Sequence, residues 1–596
     1  MKSDNYKITQ YSVSSILGYV ENSQIAIPEI QRPFVWKGEE VRSLIDSLYE
    51  GYPIGYLIVW QNSQVRVRGF GKGGTKKILI DGQQRVTALM AALLGKEVLD
   101  EQYQSHRIRI AFNPLAQTSD ERFAVCDEKH EQDTKWIPDI SIFFRRDFSF
   151  RQFEKEYKEV NPEEDFTLLE QSVDTLKEIV KHQVGVIELS FLLDIDVVSE
   201  IFIRINLQGK PLNQEDFVMS KISVNEEYGG DYIRNCIDYF CHLLREPSFY
   251  QVLQQNETDF FNSEYGQAVA WCQNEEKSLY VPSYADVLKV VLISYFGKAR
   301  IGDLVHLLSG RTGEKKGITK KEVSKKLSEE SFEKLGAGVK AFVCEKNFKG
   351  FQKALKKAGY CCSRLLYSQS VLNYCYAMYL LMDRQGISEE EKESLLARWM
   401  TMAMLTGHYQ SGGDGTVLKD YTNAEEEGFA SYLAQIEELK LTEEFYDSIL
   451  PDKFASTTAR TAPFLTYVAT QCARGVHSLY SNMTIEELYK NKTESYQILP
   501  KTYLAKCGYK TREIYGQVAN LTYISKETRD IVKRKAPADY KEKLEEAIGS
   551  EAITASLQEN GLSEAIFTAG EKDVTKILAN RRKQMALEVK EFYKTL

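Results

Sequence analysis

Apolar positions in the first 220 residues switch between two periods. Val41, Leu44, Ile45 and Leu48 recur at the spacing of one helix face and predict a helix after Lys37-Gly38. Ile54 to Trp60 and Lys77 to Ile80 are short, dense apolar runs that read as strands, and Arg107 to Phe112 offers a further β segment. Gly69 to Gly74 holds four glycines in six residues and reads as a loop between strands. Mixed periods of this kind predict an α+β domain over residues 1–225. From about Asp231 to Phe429 the spacing is mostly helical, with aromatic-rich segments such as Leu372 to Asp383 and a turn cluster at 411–415. Tyr and Phe recur there at helical spacing, which reads as core and not as base-stacking platforms. A helical domain over 226–440 and a mainly helical C-terminal domain over 441–596 complete the expected organisation.

Composition supports several packed domains. A chain of 596 residues is too long for one core, and 35 Tyr and 28 Phe against 13 Pro leave little room for a long disordered linker. Net charge is −9, which disfavours non-specific phosphate contact by the chain as a whole. Basic residues nevertheless cluster at 313–326 and at 501–535, where Lys501, Lys506, Lys510, Arg512, Lys533 and Arg534 are candidates for DNA backbone contact or for an ordinary solvated face. Ten cysteines form no CxxC pair and no regular spacing, so they read as reduced core residues with no zinc site or disulfide framework. The N-terminus lacks the apolar core of a signal peptide, and no apolar run is long enough to span a bilayer, which points to a cytoplasmic protein without membrane contact.

Three ordered segments carry the candidate chemistry. Asp81-Gly82-Gln83-Gln84-Arg85 follows Ile78-Leu79-Ile80 and precedes the apolar run Val86 to Leu94. A strand that breaks at glycine and reopens as a helix leaves first-turn N–H groups to face an anion, with the helix dipole adding positive potential. A plain tight turn in which Arg85 pairs with an acidic neighbour fits the same five residues. Upstream, Ile27 to Trp36 contains two prolines that enforce an extended path across a segment holding Gln31, Arg32 and Trp36. Downstream, Ile201 to Asp216 includes Arg204, Asn206 and a Gly209-Lys210-Pro211 turn. There Asn213 is a suitable N-cap for a following helix, and a helix-turn-helix packing contact is the alternative to a phosphate role.

Together these segments resemble the N-terminal domain of GmrSD-type modification-dependent restriction proteins, a domain related to the nucleotide-binding ParB and sulfiredoxin-like folds. The resemblance implies a nucleoside triphosphate site with Mg. Asp81, Gln84 and Arg85 would serve catalysis, and Gln31, Arg32, Trp36, Gly82, Gln83, Thr87, Arg204 and Asn206 would bind the nucleotide. No metal site built from a protein-only cluster is expected.

The C-terminal segment, from about Glu443, resembles the HNH-type nuclease domain of single-chain members of that family, through Ile498-Leu499-Pro500-Lys501, Val518 to Thr522, Lys535 to Tyr540 and Asn580-Arg581-Arg582-Lys583. The family places a metal ligand and a base where this chain has Tyr496 and Gln497. Neither replaces imidazole at neutral pH. Asn520, within Val518 to Thr522, is a further position of the degenerate motif, and Arg529 stands at the later metal-side position, where it sets a fixed positive charge. All seven histidines lie outside the motif, so the resemblance is to a degenerate, inactive HNH domain.

The implied protein is a nucleoside triphosphate-binding and hydrolysing, DNA-interacting component of a bacterial anti-phage or type IV restriction-like system. A modification-dependent DNA endonuclease and a non-enzymatic DNA sensor that recruits a separate nuclease are the alternatives. Phage or modified DNA, a separate nuclease subunit and a second copy of the chain are the partners this reading admits.

Overall fold

The computed structural model describes residues 5–22, 24–26, 36–62, 76–99, 105–116, 118–193, 197–198, 201, 214–223, 225–275, 278–310, 321–568, 570 and 573–596. The chain divides into two compact units, Met1–Asp231 and Tyr232–Leu596.

Among its described residues the first unit has nine strands, β1 (Tyr6–Ser12), β2 (Ile25–Ala26), β3 (Tyr56–Asn62), β4 (Lys76–Asp81), β5 (Val98–Leu99), β6 (Ser105–His106), β7 (Ile110–Phe112), β8 (Phe123–Val125) and β9 (Gln183–Leu189). Five of them form a mixed sheet in the order β1-β9-β3-β4-β2. The pair β1/β9 is antiparallel, β9/β3 parallel, β3/β4 antiparallel and β4/β2 parallel. Strands β5/β6 and β7/β8 form separate two-stranded pairs.

Both faces of the sheet are covered, which explains why Leu57 to Trp60 and Ile78 to Ile80 are continuous apolar runs with no polar alternation. On one face Leu57, Val59, Leu79, Val184 and Val186 pack with buried residues of α1 (Val13–Glu21), α2 (Gly38–Tyr49) and α3 (Gln83–Leu94). On the other, Ile58, Trp60, Ile78 and Leu189 pack with Val198. The Trp60 indole N–H donates to the Ser190 carbonyl at 3.2 Å, so this buried ring leaves no orphan donor.

The helix expected after Gly38 is α2, and it buries the four residues that predicted it. Strand β3 is shifted two residues toward the C-terminus from the expected 54–60 run, and β4 extends one residue beyond the expected 77–80 run at each end. The β segment proposed from Arg107 contracts to β7. A helix spans Gln214–Ser223, as the third motif anticipates, while its proposed cap Asn213 and the glycine-rich loop at 69–74 lie outside the described residues.

Among its described residues the second unit is helical but for one short antiparallel strand pair, β10 (Tyr496–Gln497) with β11 (Leu521–Thr522). Helix Glu345–Lys357 packs on Glu389–Thr406, and Tyr284–Phe296 packs on both Gln369–Arg384 and Lys321–Val343. The aromatic-rich segment is core: Leu372 to Met382 is buried throughout. Its tyrosines are tolerated there because their hydroxyls are used. Tyr376 Oη donates to the Phe342 carbonyl at 2.6 Å, and Tyr280 Oη donates to Asn373 Oδ1 at 2.8 Å. Lys392 is fully buried and is held by Asp383 and Glu389, both at 2.7 Å.

All ten cysteines are free, but only Cys236, Cys241, Cys272, Cys375 and Cys472 are buried; the other five are half-buried, so the core assignment holds for half of them. Among the described residues no helix is long and apolar enough to cross a membrane.

Candidate functional site

Strand β4 ends at Asp81 and α3 begins at Gln83, with Gly82 between them at φ 93°. A side chain at 82 would be strained by that φ and would also collide with the Leu57 side chain, so the turn requires glycine. Because the cap residue is glycine, it offers no side-chain acceptor to the first-turn N–H groups of α3. This is the geometry that favours an anion at a helix start.

The guanidinium of Arg85 crosses back over the turn. Its Nη1 donates to the Ile54 carbonyl at 3.0 Å and its Nη2 faces Asp81 Oδ2 at 3.4 Å. Both side chains stay partly exposed. Gly55, at φ 88°, makes room for this arrangement, since a Cβ there would lie 2.6 Å from Nη1. Two left-handed glycines therefore flank one guanidinium and staple the loop at 51–55 to the turn at 81–85. The simple ion-pair reading of Arg85 is thus realised in part, with two of its five N–H donors engaged among the described residues.

Gln83 lies under the turn. It is buried, its Nε2 donates to the Leu79 carbonyl at 2.9 Å, and its Oε1 is buried with no hydrogen-bond partner among the described residues. The side chain braces the turn, which leaves the backbone N–H as the part of Gln83 suited to phosphate. Gln84 and Thr87 follow in the first turns of α3, both half-buried. Trp36 packs against the core beneath α1 to α3. Gln31, Arg32, Arg204 and Asn206 lie outside the described residues. Strand β2, which leads directly into the segment carrying Gln31 and Arg32, runs parallel to β4, with Ala26 opposite Ile78. Gly55 and the Ile54 carbonyl were missed by sequence reasoning. Their only signal is the Gly51-Tyr52-Pro53-Ile54-Gly55 turn, and its contact with Arg85 spans 31 residues.

In the second unit, the four residues at nuclease-like positions are all engaged in holding the chain. Tyr496 is buried beside Tyr480 and Tyr540, where burial pushes its phenol up to about 12. Gln497 Nε2 donates to the Tyr515 carbonyl at 3.1 Å, and its Oε1 accepts from Lys501 N at 3.3 Å, at the start of helix Lys501–Lys506. Asn520 is fully buried. It accepts from Leu499 N at 2.9 Å and donates to the carbonyls of Leu499, at 2.9 Å, and Tyr515, at 3.0 Å. Arg529 donates to the Glu494 carbonyl at 2.9 Å from helix Lys526–Val532.

Among the described residues no group of three or more His, Cys, Asp or Glu could hold a metal ion. His477 pairs with Glu559 at 3.2 Å. Lys501, Lys506, Lys510, Arg512, Lys533 and Arg534 are all exposed, and Lys501 lies 4.9 Å over the Tyr515 ring.

A mixed sheet covered on both faces, with a glycine-capped strand-to-helix turn at the C-terminal end of the interior strand β4, defines an α+β domain of the first unit. Residues 13–223 match the family described as the GmrSD restriction endonuclease N-terminal domain, which supports a GmrSD-type restriction family for this part of the chain. No curated protein matches the chain.

Proposed function

We propose that this chain is a nucleotide-regulated, DNA-interacting component of an anti-phage restriction system, acting in the cytoplasm, whose C-terminal nuclease-like domain has no nuclease activity. The observation that carries the nucleotide reading is the glycine-capped turn at Asp81–Arg85. There, first-turn N–H groups, a helix dipole and a guanidinium fixed by the Ile54 carbonyl converge at one point. A triphosphate would take its hydrogen bonds from the Gln83 and Gln84 backbone and from the Arg85 guanidinium, with Arg32, Gln31, Arg204, Asn206, Trp36 and Thr87 as the remaining shell. Asp81 is the carboxylate at the turn suited to the magnesium ion that accompanies a nucleotide, and such an ion would supply charge neutralisation when bound. The same carboxylate orients Arg85 through their ion pair.

The burial of Tyr496 and Asn520 and the backbone roles of Gln497 and Arg529 support an inactive C-terminal domain, since the positions of a metal ligand and a base are taken by groups with neither chemistry. The exposed basic residues from Lys501 to Arg534 support a retained DNA-backbone role, which needs positive surface and no metal. A nuclease supplied by another subunit, and self-association, are compatible with this arrangement.

The test uses the full chain and its Asp81→Ala and Arg85→Ala variants with ATP, GTP, CTP and UTP, with magnesium, and with or without modified DNA. Released phosphate and DNA integrity are followed in the same tubes. Phosphate release that depends on Asp81 while DNA stays intact is the expected result. Metal-dependent DNA cutting would overturn the inactive-nuclease reading, and unchanged nucleotide affinity in Arg85→Ala would overturn the phosphate assignment.

A further inference from the structure

Along β3, Tyr56, Ile58 and Trp60 alternate onto the same face of the sheet. Ile58 and Trp60 are 1% and 4% exposed, whereas Tyr56 is 57% exposed, so it lies past the end of the layer that covers its neighbours. That end is the one carrying the candidate site, because Ile58 is the cross-strand partner of Asp81. Tyr56 also directly follows Gly55, the residue against which the Arg85 guanidinium lies.

The ring is nonetheless held in place. Tyr56 pairs with Gly185 across the parallel β3/β9 register, and a Cβ at Gly185 would lie 2.6 Å from both Cδ1 and Cε1 of the Tyr56 ring. The tyrosine is therefore seated against a bare glycine backbone, an arrangement that fills the space a missing side chain leaves in a sheet. Cross-strand packing accounts for the side of the ring turned to Gly185. It does not account for a large, rigid aromatic surface left in water at the end of the sheet that carries the turn, one residue along the chain from the glycine that seats Arg85, where a shorter polar residue would avoid the exposure.

We propose that Tyr56 is the nucleobase platform of this site: a planar base stacks on its outer side while the attached phosphates reach the start of α3 and Arg85. The assignment presupposes that the turn holds a triphosphate. A base stacked on an aromatic side chain needs no particular hydrogen-bond pattern, so Tyr56 contributes affinity for a base of any identity and leaves discrimination among bases to other residues. Gly185 acts as the positioning residue, since it sets the plane of the ring without touching the ligand.

The test measures equilibrium binding of each of the four common ribonucleoside triphosphates, and of inorganic triphosphate, to the full chain and to Tyr56→Ala, Tyr56→Trp and Gly185→Ala. Tyr56→Ala is expected to lose about 5- to 150-fold in nucleotide affinity, the range of one base–aromatic stack, with inorganic triphosphate binding unchanged. Tyr56→Trp is expected to retain nucleotide affinity, and Gly185→Ala to lose part of it by displacing the ring. Unchanged nucleotide affinity in Tyr56→Ala, or an equal loss for nucleotide and inorganic triphosphate, overturns the platform. A wild-type chain that binds neither probe overturns the nucleotide site itself, and the platform with it.

Discussion

Arg85 owes its position to two residues that carry no side chain. Gly55 and Gly82 hold positive φ on either side of its guanidinium, and a Cβ at Gly55 would meet Nη1 directly. Gly55→Ala is expected to cost about 1–3 kcal/mol, from backbone strain and displacement of Arg85, read as a lower unfolding midpoint of the first unit in urea. The same variant should weaken any anion held at the turn. Gln83 shows how one residue divides its roles: its buried side chain braces Leu79, while its backbone N–H stands in the first turn of the helix.

At the scale of an element, the β10/β11 pair is held less by its four paired residues than by Asn520. One buried amide bridges Leu499 and Tyr515 and so ties the strand that follows it to the segment after β10. Replacing Asn520 with Ala strands one backbone N–H and two carbonyls in a dry environment. A loss of about 2–4 kcal/mol is expected, measured by thermal or urea unfolding. Nuclease-like chemistry would predict the opposite emphasis, an exposed strand carrying reactive groups toward a cleft. Tyr496 instead points its ring into the apolar cluster with Tyr480 and Tyr540.

At the scale of the whole molecule, the second unit carries a buried acid whose titration falls near neutrality. Burial raises the Glu588 carboxyl to about 7, against the lowering effect of Arg474 and Arg581. A carboxyl whose folded value lies above its unfolded value binds protons more tightly when folded, so its effect is a loss of stability as pH rises through that interval. Between about pH 5 and pH 8 the wild-type chain should lose on the order of 2–3 kcal/mol that Glu588→Gln does not lose. Unfolding midpoints of the two proteins across that range, converging at low pH and separating at high pH, are the expected result. Parallel curves would remove Glu588 as the cause.

The amino-acid sequence by itself determined the strand-to-helix turn at 81–85, the helix after Gly38 and the helical character beyond Asp231. These features depend on local period, on glycine and on apolar runs, all written within a few residues of one another. The tyrosine-rich core segment was legible for the same reason. Its hydroxyl partners were not, because Tyr376 reaches a carbonyl 34 residues away and Tyr280 an amide 93 residues away. Tertiary structure alone decided the strand order and the contact of Arg85 with Ile54. It also decided that Tyr56 lies beyond the covered part of its sheet face while Ile58 and Trp60 lie under it. Such facts follow from which distant strands become neighbours, and a one-dimensional pattern leaves that pairing undetermined.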